Sequence, residues 1–132
     1  MQSLSKYRVW NRTQKSFVNP DNYFIDLCGN LYEDIHFESP LKLEQKDFIL
    51  QQFTGLLDKN GKEIYEGDIV KSWRRLGEKW GWYIGRVNYC NVDACFQVLT
   101  ADRKDEEIGS YLICDGEEVI GNIFENPSLL NP

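Results

Sequence analysis

Apolar residues in this chain fall into short runs cut by Gly, Asn, Asp and Pro, and no run holds the three-and-four spacing of a strong amphipathic helix. Residues 7–10 and 16–18 flank the polar stretch 11–15 and predict a hairpin. A turn cluster at 19–22 follows. Residues 23–27 and 31–32 then bracket Cys28-Gly29-Asn30, a second hairpin with Gly29 as the left-handed residue. Residues 41–50 fit neither period cleanly, and their end reads as a strand entering through Leu50 and Phe53. Asn60-Gly61 predicts a type I′ turn, whose two central residues both need positive φ, with Phe53, Leu56 and Leu57 before it and Ile64 and Tyr65 after it. Gly67-Asp68 marks another turn, from which 69–73 leaves as a strand.

Residues 74–81 read as a loop. In 82–89, alternation puts Tyr83, Gly85, Val87 and Tyr89 on one side and Trp82, Ile84, Arg86 and Asn88 on the other. Residues 95–100 return as the antiparallel partner across a turn at 91–94. A charged loop at 101–107, a strand at 111–114, and a strand at 119–124 containing the turn formers Gly121 and Asn122 complete the pattern, with one helical turn at 128–130. Short strands joined by turn residues predict a mainly β, or β-rich α+β, protein of antiparallel hairpins forming a sandwich or small barrel. The expected organisation is an N-terminal hairpin region, 1–40, packed on a core of residues 41–132.

The segment Gln52-Phe-Thr-Gly-Leu-Leu-Asp-Lys-Asn-Gly-Lys-Glu-Ile-Tyr-Glu-Gly-Asp-Ile-Val70 resembles the central signature of the YopX family, small proteins encoded by phages and prophages of bacteria. The opening Lys6-Tyr-Arg-Val-Trp10 and the closing Glu118-Val-Ile-Gly-Asn-Ile-Phe-Glu-Asn-Pro-Ser-Leu-Leu130 are similar to that family too, so the resemblance frames almost the whole chain. Residues 73–112 carry no family motif. The resemblance implies a phage or prophage accessory protein with an SH3-like barrel in the C-terminal two-thirds, around the Gly-Asp-Ile-Val strand. It brings no catalytic residue with it.

Composition adds bounds. The chain of 132 residues is 42% hydrophobic and 27% charged, enough for one domain with its own core. No apolar run approaches the length of a membrane span, and the N-terminal residues lack a signal segment. The expectation is a cytoplasmic protein of the bacterial host cell with no membrane partner. Cys28, Cys90, Cys95 and Cys114 form no Cys-x-x-Cys pair, and His36 is the one histidine, so no metal site and no cofactor are expected. The cysteines are expected to be buried and inert, although Cys90 and Cys95 flank a turn and could face each other and oxidise.

No phosphate loop, zinc helix or nucleophile elbow is present, and no catalytic residue is assigned. Glu117-Glu118 and the acidic run at 105–107 read as hydrated surface, and the stretch from Asp58 to Lys62 as a structural turn rather than a calcium loop. One segment breaks the acidic background of net charge −6: Lys71, Arg74, Arg75, Lys79 and Arg86 stand against Glu78 alone, interleaved with Trp73, Trp80, Trp82 and Tyr83. Arginine and aromatic side chains together serve protein interfaces as anchors, and single-stranded nucleic acid as a charged stacking platform. Lys71, Trp73, Arg74, Arg75, Lys79, Trp80, Trp82 and Arg86 are therefore the expected partner-binding residues. Three classes stand: a non-enzymatic module binding a host or phage protein, which is favoured, a nucleic-acid-binding module, and a small enzyme whose site is assembled from distant residues. A homo-oligomer through an exposed strand edge is compatible with all three.

Overall fold

The structure, a computed structural model, describes residues 6–33, 41–44, 46–76, 78–100, 110–113 and 116–130. It is mainly β and antiparallel, in two compact units: Tyr7–Gln51, and Met1–Lys6 with Gln52–Pro132.

In the N-terminal unit, β1 (Tyr7–Asn11) pairs with β2 (Ser16–Phe17), so the first hairpin forms where the sequence predicts it. Asn11 closes its loop, its side-chain oxygen accepting from the N–H groups of Thr13 and Gln14. Trp10 is buried edge-on against Phe17, their centroids 4.9 Å apart. β3 (Tyr23–Ile25) and β4 (Leu31–Glu33) form the second hairpin, and β5 (Leu41–Lys42) pairs with β4. Gly29 takes φ +84°, the left-handed angle expected of it. Asp26 organises that turn, accepting from the N–H groups of Cys28 and Asn30, the Asn30 amide and the Tyr32 hydroxyl.

β6 (Phe48–Leu57) begins in the N-terminal unit and ends in the C-terminal one, where it pairs with β7 (Glu63–Tyr65). The turn between them differs from the sequence expectation. Gly61 has φ +83°, whereas Asn60 does not have positive φ, so the connection is not type I′. Asp58 decides this. Its Oδ1 accepts from the N–H groups of Asn60 and Lys62, its carbonyl accepts from Gly61 N–H, and its own N–H donates to the Lys62 carbonyl. That is a three-residue loop with the left-handed angle carried by glycine alone.

The C-terminal unit holds a five-stranded sheet in the order β11-β10-β9-β8-β12: β8 (Asp68–Leu76), β9 (Lys79–Cys90), β10 (Cys95–Thr100), β11 (Ser110–Leu112) and β12 (Glu118–Asn122). Gly67 and Asp68 turn the chain into β8, with Gly67 at φ +84° and the buried Asp68 carboxylate accepting from Tyr65 N–H. Of residues 74–81, expected as a loop, 74–76 and 79–81 are instead paired strand. Leu76 lies opposite Lys79, and the ladder continues through Arg75↔Trp80, Arg74↔Gly81 and Trp73↔Trp82. β-Branched and aromatic residues on both arms sustain the ladder.

The core lies on one face of this sheet: Val70, Val87, Val98 and Tyr111 with Ile64 of β7, joined by Leu56, Tyr83, Phe96 and Val119. The alternation read for residues 82–89 is borne out, with Tyr83, Gly85 and Val87 inward. Gly85 has no room for a side chain, because an added Cβ would lie 2.3 Å from the Leu99 carbonyl oxygen. Gly121 is within β12 beside a register shift, and a Cβ there would meet the Asn126 side chain at 2.5 Å. Asn122 ends the strand as a cap, its Oδ1 accepting from the N–H groups of Phe124 and Glu125. The expected terminal helical turn is a 3₁₀ turn, Pro127–Leu130, packed against β9.

Candidate functional site

β8 and β9 form a long ribbon, and strand alternation sorts the eight expected partner-binding residues between its two faces. Lys71, Trp73 and Arg75 of β8 lie opposite Ile84, Trp82 and Trp80 of β9, and Arg86 is on the same face, opposite Ile69. Arg74 and Lys79 belong to the other face. Six of the eight are thus gathered and two are set apart.

The gathered face is open. Trp73, Trp80 and Trp82 are 55%, 62% and 48% exposed, an unusual state for three indoles on one strand pair. Trp73 and Trp82 pack edge to face, centroids 5.5 Å apart, and the Lys71 ammonium sits 4.7 Å from the centre of the Trp82 ring. Arg75 and Arg86 are exposed. Glu118 lies opposite Lys71 at the inner end of this face, its carboxylate 3.2 Å from Lys59 Nζ. The result is a platform of three indoles, two of them packed on each other, with cations along it. Aromatic anchors with two side-chain torsions lose little entropy on contact, and arginine beside them supplies forked donors.

The opposite face holds what the sequence reading missed. Glu117 is fully buried rather than hydrated surface. Its Oε1 accepts from Arg74 Nη2 at 3.3 Å, and its Oε2 accepts from the Tyr111 hydroxyl at 3.1 Å. Tyr111 lies 3.0 Å from the Ser72 hydroxyl, and Arg74 Nε donates to Ser72 Oγ at 3.3 Å. With the Tyr111 proton directed at Glu117, Ser72 must donate to Tyr111, and the four side chains close a ring of hydrogen bonds. The Arg74 guanidinium also stacks 3.8 Å from the centre of the Tyr111 ring. Burial pushes the Tyr111 phenol up, the Ser72 bond opposes this, and the Glu117 charge adds to it. Tyr111 therefore stays protonated and donating. Arg74, expected at a partner surface, is anchored inside its own fold. A serine and an arginine alternating on a strand, with a tyrosine and a glutamate beyond, were the signal available, but only the sheet register brings them together.

The Asp58 loop holds this cluster in place. Asp58 Oδ2 accepts from Val119 N–H at 3.0 Å, and Lys59 N–H donates to the Glu117 carbonyl at 2.9 Å. Burial alone would raise the Asp58 carboxyl, but the N–H groups of Val119, Lys62 and Asn60 outweigh it and hold the group below its ordinary value.

Among the described residues, no group of three or more His, Cys, Asp or Glu side chains could hold a metal ion. His36 and the acidic run at 105–107 lie outside the described residues. An open groove of about 770 Å³ in the N-terminal unit is lined by Leu31, Leu43, Phe48 and Leu50, with Glu44 and Lys42 as its charged groups among the described residues. Of the cysteines, Cys28 is exposed and Cys90 and Cys95 are partly exposed, contrary to the buried state expected. Among the described residues, no helix is long and apolar enough to cross a membrane.

The family model of the YopX protein matches residues 6–131. The chain belongs to the YopX family. Among solved structures it is similar to YopX from Bacillus subtilis, with a TM-score of 0.58 and 21% identity over 96% of this chain and 98% of that one. It is also similar to protein EF1440 from Enterococcus faecalis, with a TM-score of 0.53 and 24% identity over 98% of this chain and 99% of that one. At these identities the likeness is one of fold. No curated protein matches the chain.

Proposed function

We propose that this YopX-family chain is a non-enzymatic binding module, encoded by a phage or prophage and acting in the bacterial cytoplasm, that contacts a host or phage protein through the Trp and basic face of the β8–β9 ribbon. One observation carries the reading: three tryptophans stay exposed on a single face, interleaved with Lys71, Arg75 and Arg86. The cations favour a partner with an acidic contact surface. A protein partner is favoured over single-stranded nucleic acid because the Trp82 ring already carries Lys71 over it and Trp73 against it, leaving fewer ring faces for bases. The strand order supports an SH3-like barrel as the scaffold, since the last strand, β12, returns to lie beside the first, β8.

The test is affinity purification of the tagged chain from infected or prophage-induced cells, with and without nuclease, beside the variant Trp73→Ala/Trp80→Ala. The expected result is a specific protein band that survives nuclease and is lost from the variant while the variant keeps its β circular-dichroism spectrum. Bound material that disappears with nuclease would replace this reading with the nucleic-acid one. Retention of the same band by the folded variant would remove the ribbon face as the contact.

A further inference from the structure

We propose that Cys90 and Cys95 form a dithiol/disulfide site, oxidised reversibly by thiol–disulfide exchange with a small-molecule disulfide. The inference concerns the β9–β10 hairpin and is independent of what the Trp face binds.

Register carries it first. Cys90 and Cys95 are direct cross-strand partners, the last pair before the connection 91–94. Opposed residues of an antiparallel ladder project to the same face with Cα atoms about 4.5–5.5 Å apart, inside the span that a disulfide bridges. The hairpin is held closed at this end by the neighbouring pair, Tyr89 and Phe96, whose rings meet edge to face at 5.2 Å on the other side of the sheet. Ala94, with φ +51°, completes the tight return. Both thiols are free and partly exposed, so a small oxidant reaches them without unfolding.

The polar groups at the two sulfurs are unequal. Cys90 Sγ donates to Asp93 Oδ2 at 3.7 Å. Gln97 Nε2 donates to the same Asp93 oxygen at 3.3 Å and to Cys95 Sγ at 4.0 Å. The Cys90 S–H is taken up by Asp93, so Cys95 is assigned as the attacking group and Cys90 as the resolving one. In the first step the Cys95 thiolate attacks one sulfur of the external disulfide, that S–S bond breaks, and one thiolate leaves and is protonated. In the second step Cys90, having given up its proton, attacks the Cys95 sulfur of the mixed disulfide and expels the second thiolate, which is also protonated. The two cysteines lose two electrons, and the external disulfide gains them as two thiols.

The experiment equilibrates the full chain, as Cys28→Ser/Cys114→Ser and as the unaltered protein, in reduced and oxidised glutathione at graded ratios. Free thiols are then trapped by alkylation and the peptides mapped by mass spectrometry. The expected result is a Cys90–Cys95 cross-linked peptide at oxidising ratios, reversed by reduced glutathione, and formed at least about tenfold more favourably in the folded chain than in urea. With Cys90→Ser, a glutathione mixed disulfide should accumulate on Cys95, and faster than on Cys90 in Cys95→Ser. Cysteines that stay alkylatable at every ratio, glutathione on each separately, or an equilibrium no better folded than in urea would overturn the site. Faster reaction at Cys90 would overturn the assignment of the attacking thiol. Peptide mapping of the unaltered chain keeps the test decisive if the double variant does not fold.

Discussion

The two faces of the β8–β9 ribbon are built from the same residue types and do opposite things. On one face Arg74 stacks on Tyr111 and binds Glu117, a carboxylate with no exposure at all. On the other, one position along, Arg75 lies opposite Trp80, which is 62% exposed. A cation beside an aromatic ring is thus a core component in one place and open surface in the other. The difference is solvent. A buried charge left without its partner costs several kcal/mol, whereas an exposed one is rehydrated at once. Arginine and tryptophan in a sequence therefore do not announce a binding surface until the sheet says which side each is on.

The sharpest way to break the comparison is to remove the buried carboxylate. Glu117→Ala leaves the Arg74 guanidinium and the Tyr111 hydroxyl without their acceptor, and should lower unfolding free energy by about 3–5 kcal/mol in urea titrations. A loss below about 1 kcal/mol would mean that the ring of hydrogen bonds does not secure the core face. Arg74→Ala should fall close behind, at about 2–4 kcal/mol, because it removes the cation paired with the buried Glu117 carboxylate.

Asp58→Asn comes next, with an expected loss of about 1–3 kcal/mol, since the loop it organises bonds the backbone of both Glu117 and Val119. The sign with pH is fixed by the depressed carboxyl. Its stabilisation is complete above the unfolded carboxylate range, near pH 4, and is lost as pH falls through the lower folded value. Urea midpoints taken from neutral pH downward should fall more steeply in the parent chain than in Asp58→Asn. Parallel curves would show that the loop, not the charge, does the holding.

The smallest effects belong to the open face. Trp80→Ala and Arg75→Ala should each change stability by no more than about 1 kcal/mol, while removing partner capture. A loss as large as that of Arg74→Ala would make the two faces equivalent and withdraw the open one as a candidate site.

Much of the fold was legible. Gly29, Gly67 and Asp68 mark turns where their chemistry requires them, and the alternation of residues 82–89 sorts them into the two sides found, without saying which is the core side. In residues 74–81, Arg, Gly, Glu and Lys between two tryptophans look like a loop, yet 74–76 pair with 79–81 across the ribbon. Asn60-Gly61 was read from its two central residues, when Asp58, outside that pair, sets the turn by binding two of its N–H groups. Of the candidate site, the residue types and their segment were visible in the chain, but not their division into an open six and the two set apart.

The sequence by itself determined the family, the antiparallel mainly β architecture and the positions of most turns, because those depend on local backbone preference and on a signature contiguous in the chain. Only the tertiary structure decided that Glu117 is buried, that Arg74 serves the core while Arg75 faces water, and that Cys90 stands opposite Cys95. Those outcomes depend on register. A shift of one residue in strand pairing would exchange every inward side chain for an outward one, and the register is set by contacts between segments far apart in the chain.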